Sequence, residues 1–170
     1  MPKAKRKAAK PRKLPKKLSV VPKGQSTPTA YLGVKDAKEA IKFYAKAFGA
    51  KELFRLTEPG GKIGHAEISI GVATLMLADE YPDFGCLSPQ SIGGSPVQFH
   101  LYVKNADAAV KKAVKAGATL VRPVEQQFYG DRGGTVADPF GYKWMIAQRV
   151  EVVSPKEMQR RWMKMFTPGK

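Results

Sequence analysis

At 170 residues, with 43% hydrophobic side chains, the chain is long enough for one cored domain with appendages, and no apolar run reaches the length that crosses a bilayer. A single cysteine, Cys86, excludes an internal disulfide and points to a reducing, cytoplasmic setting. The formal charge of +16 is unevenly placed: residues 1–24 hold ten Lys or Arg and no acid, which leaves twenty cations against fourteen acids downstream.

The opening segment MPKAKRKAAKPRKLPKKLSVVPKG has four prolines and no helical stripe of apolar residues. Such a composition cannot bury enough surface to offset its ordering entropy, so residues 1–26 are expected to be a disordered basic arm. It has no apolar core of a secretory signal. Its charges suit a solvated tail or counterion-releasing contact with nucleic acid through residues 1–24, without sequence preference.

From residue 27 the pattern becomes that of a folded domain, expected to run to residue 150. TAYLGV at 29–34 is a short alternating strand, followed by a helix in VKDAKEAIKFYAKAFGA. Asp36 is a good N-cap, completing a capping box with Glu39, and Gly49 stands where a helix ends in left-handed backbone. Three further strands follow: KELFRL (51–56), GHAEISI (64–70) and ATLMLA (73–78). YPDFGCLSP reads as a Pro/Gly loop in which Cys86 has no neighbouring base.

The pattern then repeats. VQFHLYV (97–103) precedes VKNADAAVKKAVKAGA, in which Val103, Lys104, Asn105 and Ala106 answer to Val34, Lys35, Asp36 and Ala37 at an offset of 69. Strands are expected again at 119–124, 133–138 and 142–147. An offset of half the domain signals duplication rather than a short-period solenoid. The fold class is therefore α+β: two β-α-β-β-β modules paired into an incomplete barrel whose free sheet faces line a cleft. Residues 151–170 add an amphipathic helix, with Ser154 as cap, Pro155 at its first position, Glu157 completing a box, and an apolar stripe of Met158, Trp162, Met165 and Phe166. That stripe must dock on its own sheet or on a second subunit.

Period 2 sets Ala66, Ile68 and Ile70 on one face of their strand and His65 and Glu67 on the other; Phe99 and Leu101 likewise oppose Gln98 and His100. His65, Glu67, Gln98, His100 and Met145 are thus expected to look into one cleft. There His65, Glu67 and His100 suit acid–base catalysis or the orientation of a ligand. In FYGDRGG, Tyr129 and Arg132 lie in a Gly-rich loop where Arg132 either meets an anion or is held by Asp131. Trp144 is expected on the helix side of its strand.

The pieces VKDAKEAIKFYAKAFGA, GHAEISIG, TLMLADEYPDFG, YGDRGG, ADPFGYKWMIA and VSPKEM, in this order, resemble the vicinal oxygen chelate superfamily (glyoxalase I, bleomycin-resistance proteins, extradiol dioxygenases) and its PhnB-like branch. The resemblance implies the paired-module fold, a small molecule in the cleft and often a homodimer. Metal enzymes of that superfamily carry His and Glu ligands on the first and fourth strands of each module. The positions aligned with them here are Thr29, Met76, Gln98 and Met145, none of which is a carboxylate or an imidazole. The resemblance therefore implies a protein without metal or other cofactor, its former metal pocket made apolar by Met76 and Met145. Three functions stay open: binding or sequestering a small apolar or aromatic molecule, an enzyme using His65, Glu67 and His100, or nucleic-acid association through the arm.

Overall fold

A computed structural model describes residues 19–167, so most of the basic arm lies outside the described residues. Its organising feature is that the sequence duplication folds twice in the same way. Asp36 accepts the backbone N–H of Glu39 at 2.9 Å and starts α1 (Ala37–Phe48); Asn105 accepts that of Ala108 at 2.9 Å and starts α3 (Ala106–Ala116). Both helices stop on a glycine in the left-handed region, Gly49 (φ 71°) and Gly117 (φ 119°), where a side chain would be strained. The Glu39 carboxylate pairs with Lys42 at 2.6 Å, so the cap is the Asp36 side chain alone rather than the reciprocal box expected.

Each module is a four-stranded mixed sheet. The first comprises β1 (Tyr31–Val34), β2 (Lys51–Thr57), β3 (Ile63–Ile70) and β4 (Ala73–Asp79), in the order β1-β4-β3-β2. The second comprises β5 (Gln98–Tyr102), β6 (Thr119–Gln126), β7 (Asp131–Ala137) and β8 (Lys143–Arg149), in the order β5-β8-β7-β6. In both, the first strand runs parallel to the fourth and the remaining pairs are antiparallel. No closed barrel forms among the described residues. Between the modules run a 3-10 turn at Pro82–Phe84 and the short helix α2 (Pro89–Ile92); α4 (Pro155–Lys164) ends the described chain.

The core lies between the helices and one face of each sheet. Ala37, Ala40, Ile41, Tyr44 and Ala47 are buried at helical spacing on α1, against Ala66, Ile68 and Ile70 of β3 and Leu75 and Leu77 of β4. Helices α1 and α3 also pack on each other, and an aromatic cluster seals the junction. Trp144 of β8 lies 5.5 Å from Tyr44, 4.5 Å from Phe48 and 4.5 Å from Phe99 between ring centres. This is the helix-side placement that period 2 gives Trp144. Burying each of these large side chains contributes roughly 1.5–3 kcal/mol.

Beneath the cluster sits Asp138. Its Oδ1 accepts the backbone N–H groups of Phe140 and Tyr142, and its Oδ2 accepts the Tyr44 hydroxyl and the Trp144 indole, all within 2.9 Å. Burial pushes its carboxyl up from the ordinary range, and the four donors pull the other way. The Tyr142 hydroxyl returns to the Gly33 carbonyl of β1 at 3.1 Å, so hydrogen bonds cross the module boundary in both directions.

The outer strands are less covered. β2 is exposed along its whole length and β6 along most of it, where Pro123 is compatible with an edge position. Helix α4 has no buried residue. It is held by Arg161, which meets Glu151 at 2.6 Å, Glu157 at 2.8 Å and the Phe128 carbonyl at 3.1 Å. The Trp162 ring lies 5.2 Å from Phe128.

Candidate functional site

On β3 the residues facing away from the core are His65, Glu67 and Ser69, each half-buried. Cross-strand register sets Tyr31, Met76, Glu67 and Phe54 in one row across the sheet. The His65 ring is flanked by Tyr31 at 5.6 Å and Phe54 at 5.5 Å. The Tyr31 hydroxyl lies 3.1 Å from His65 Nδ1, and His65 Nε2 lies 3.7 Å from Glu67 Oε1. The other oxygen of Glu67 accepts the Gln25 side-chain amide at 2.7 Å. Burial raises the Tyr31 hydroxyl above its ordinary value, with the neighbouring Cys86 thiol adding to the shift, so the phenol keeps its proton at neutral pH, within reach of His65 Nδ1 and of the Gly64 carbonyl at 3.5 Å.

Tyr31 also lines a cavity of about 650 Å³, together with Gly33, Tyr81, Phe84, Leu87 and Tyr142. Its outer wall is the segment between β4 and α2, which two devices hold in place. Gly33 lets that segment close on β1: a Cβ there would stand 2.7 Å from the Leu87 carbonyl oxygen. Glu80 accepts the Ser88 N–H at 2.6 Å, and its bonds to Ser91 and Ser88 hold the Glu80 carboxyl down at about 2. Tyr81 donates to Glu58 at 2.5 Å, which pushes its hydroxyl up to about 12, while the Lys62 ammonium stands 3.7 Å over its ring. The result is an aromatic hollow with a phenol–imidazole–carboxylate row beside it.

The second module carries a smaller hollow of about 170 Å³ lined by His100, Tyr129, Met145, Arg122 and Glu125. His100 stacks on Tyr102 at 4.6 Å. Of the residues expected in one cleft, His100, Tyr129 and Met145 line this hollow, while His65, Glu67 and Met76 share the outward face of the first sheet and line neither hollow. Gln98, exposed at the start of β5 opposite Lys143, belongs to neither hollow.

Arg132 departs from the expectation of an anion-binding role. It shares its strand face with buried Val136, and both its Nε and Nη2 meet Asp107 of α3 at 2.8 Å, which commits the guanidinium to a fork-shaped pair on the helix side. Asp131 is buried and is not its partner. The residues that sequence reasoning missed are Tyr31 and Tyr81. Tyr31 was legible by one signal: it precedes His100 by the same offset of 69 that relates the two modules.

Register also tests the fit of a metal. Directly across from Met76 on β1 stands Tyr31, and across from Met145 on β5 stands His100. Thr29 precedes β1, and its hydroxyl meets Gln25 and the Ser26 carbonyl. Whether the ligand positions are Thr29, Met76, Gln98 and Met145 or the set shifted by two residues, they offer no carboxylate and at most one imidazole. Neither set fits a divalent cation that takes oxygen and imidazole ligands. Among the described residues no group of three or more His, Cys, Asp or Glu is placed to hold one. No helix among them is long and apolar enough to cross a membrane.

Known proteins are similar to this chain in sequence and fold. An uncharacterized protein of Mycobacterium tuberculosis, Rv0887c, is 46% identical over 132 residues, covering 76% of this chain and 78% of that protein. The Arabidopsis thaliana protein At5g48480 is 32% identical over 130 residues, covering 71% of this chain and 76% of that protein; its crystal structure superposes with a TM-score of 0.60 over 72% of this chain and 98% of its own. The PhnB protein from Bacillus cereus shares the fold at 16% identity, with a TM-score of 0.55 over 72% of this chain and 99% of that one. The family model of the glyoxalase/bleomycin resistance protein/dioxygenase superfamily matches residues 27–146. With the two capped, glycine-stopped modules and their strand order, this match shows that the chain belongs to that superfamily.

Proposed function

We propose that this protein binds, without a metal ion, a small and largely apolar or aromatic molecule against the outward face of its first module. The observation that carries this reading is the hollow of about 650 Å³ walled by Tyr31, Tyr81, Phe84, Leu87 and Tyr142. That volume lies within the roughly 300–1,000 Å³ typical of small-molecule sites, which pair apolar walls with a few polar groups. Tyr31, which lines the hollow, and His65 and Glu67 beside it supply the polar groups that would fix a ligand's orientation.

Native mass spectrometry of freshly purified full-length protein tests the proposal. The expected spectrum shows a co-purified organic molecule, or uptake of an added aromatic compound that Tyr81→Ala and Phe84→Ala abolish, and no adduct at the mass of a divalent metal. One Zn, Ni, Mn or Fe per chain surviving gel filtration overturns the metal-independent reading. The same spectrum counts subunits. A homodimer is expected, because Trp162 on α4 and Phe166 just past its end leave an apolar stripe 43% and 64% exposed.

The closeness of Tyr31 to His65 favours a second reading, an enzyme. A phenol hydrogen-bonded to an imidazole beside a carboxylate is a route for proton transfer to a ligand in the hollow. Chemical turnover of the captured molecule that is lost in both His65→Ala and Glu67→Gln would select it over simple binding.

A further inference from the structure

The face assigned above to a ligand already carries an occupant supplied by the chain itself. Residues 22–29 turn back onto the first sheet, the turn closed by the Gln25 N–H donating to the Pro22 carbonyl at 3.1 Å. Two bonds fasten it. The Gln25 side-chain amide donates to Glu67 Oε2 at 2.7 Å, and the Thr74 hydroxyl donates to the Gly24 carbonyl at 2.6 Å. Thr29 steadies Gln25 from the side, its hydroxyl 3.3 Å from Gln25 Oε1.

The sheet groups that receive this segment are scarcely used elsewhere. Thr74 is 6% exposed, and the Glu67 side chain 16%. A carboxylate so enclosed needs a donor, since a buried charge without one is costly. Its His65 neighbour, at 3.7 Å, is beyond hydrogen-bonding distance. Gln25 therefore fills a requirement that the sheet creates. What it presents is chemically specific: the Gln25 side-chain N–H toward Glu67 and the Gly24 main-chain carbonyl toward Thr74, groups drawn from two different amides.

We infer that residues 22–29 are a built-in competitor for the first module's binding face, and that the ligand that displaces them carries two amide groups, the N–H of one to Glu67 and the carbonyl of the other to Thr74. This rests on the proposed function, which it deepens by naming the ligand's polar groups. The strap lowers apparent affinity, because a ligand must first release Gln25.

The probe is N-acetylphenylalanine amide, which joins an aromatic ring to amide N–H and carbonyl groups. It is titrated into the full-length native protein, Gln25→Ala and Thr74→Val, followed by NMR of the Gln25 side-chain amide and of backbone residues 22–29. In native protein the Gln25 amide signals should move to solvent-exposed values as the probe binds. Gln25→Ala should bind roughly tenfold more tightly, the scale set by losing one hydrogen bond to a charged group, and Thr74→Val should bind more weakly than Gln25→Ala. Binding seen only in Gln25→Ala supports the inference equally. Equal affinity in native and Gln25→Ala protein, or probe bound while Gln25 stays on Glu67, overturns it and leaves the proposed function standing. No binding to any of the three also overturns it; the proposed function falls only if the Tyr81 hollow takes up no aromatic compound as well.

Discussion

The Tyr31 hydroxyl lies 3.1 Å from Nδ1 of His65. The phenol keeps its proton at neutral pH; when it donates to Nδ1 rather than to the Gly64 carbonyl 3.5 Å away, the neutral imidazole carries its hydrogen on Nε2, facing Glu67. Nitrogen NMR of labelled protein should show an unprotonated Nδ1 in native protein and a mixed tautomer population in Tyr31→Phe. A protonated Nδ1 in the native neutral ring would remove Tyr31 from the site's polar row.

The two oxygens of Asp138 each receive two donors. Asp138→Asn must point an NH₂ group at one of those pairs, leaving buried donors facing a donor. Urea unfolding should show a loss of about 2–4 kcal/mol, whereas Tyr44→Phe, which removes one donor, should cost about 1 kcal/mol. Equal small losses for both would mean that the interior relaxes around the change.

Acid should weaken the fold through surface carboxylates. Glu80 and Glu157 are both held at about 2, Glu80 by Ser91 and Ser88, Glu157 by Arg160 and Arg161. A carboxyl lowered by folding stabilises above its ordinary pKa, and that contribution is lost as pH falls from about 5 toward 2. Asp138 acts with the opposite sign. Its raised value makes its contribution greatest below the ordinary 3.8 and diminishes it as pH rises through the folded value. Tm measured against pH should therefore decline below about pH 5, and the double variant Glu80→Gln, Glu157→Gln should flatten that limb. An unchanged limb would place the acid sensitivity elsewhere.

The ten cations of residues 1–24 predict weak, sequence-indifferent binding to nucleic acid that falls steeply with salt. Removing those residues should take away most of the affinity and flatten the slope of log K against log salt by about 0.9 for each phosphate that is no longer neutralised. Matching slopes for the two proteins would make the arm a bystander.

The fold could be read from the sequence because its determinants are local. Asp36, Asn105, Gly49 and Gly117 mark both helices, and the alternation Ala66, Ile68, Ile70 fixes the phase of β3. The site was legible only in part. Period 2 gives the face of His65 and Glu67 but not the cross-sheet row, which depends on Tyr31 standing opposite Met76. Arg132 could not be assigned because Asp107 lies 25 residues away. The wall of the hollow depends on Tyr142, whose hydroxyl reaches Gly33 across 109 residues. Upstream of residue 27, Gly24 and Gln25 are bonded to the sheet through a glycine carbonyl and a polar side chain, contacts that no periodicity reports.

The bond between Tyr44 and Asp138 spans 94 residues, which has a consequence for how the protein is made. A ribosome adding about 5–20 residues per second delivers Asp138 roughly 5–20 s after Tyr44. For the part of that interval after Asp79 is added, the first module has its helix cap, its strands and their turns, yet the aromatic face of Phe43, Tyr44 and Phe48 awaits Phe140 and Trp144. Synthesis thus passes through a half-finished state with an uncovered apolar surface. Arrival of the DPFGYKW segment ends that exposure, covering the ring faces and satisfying the tyrosine hydroxyl together. Changes in this one segment should consequently register first as aggregation of nascent chains, before any loss of stability in the finished protein.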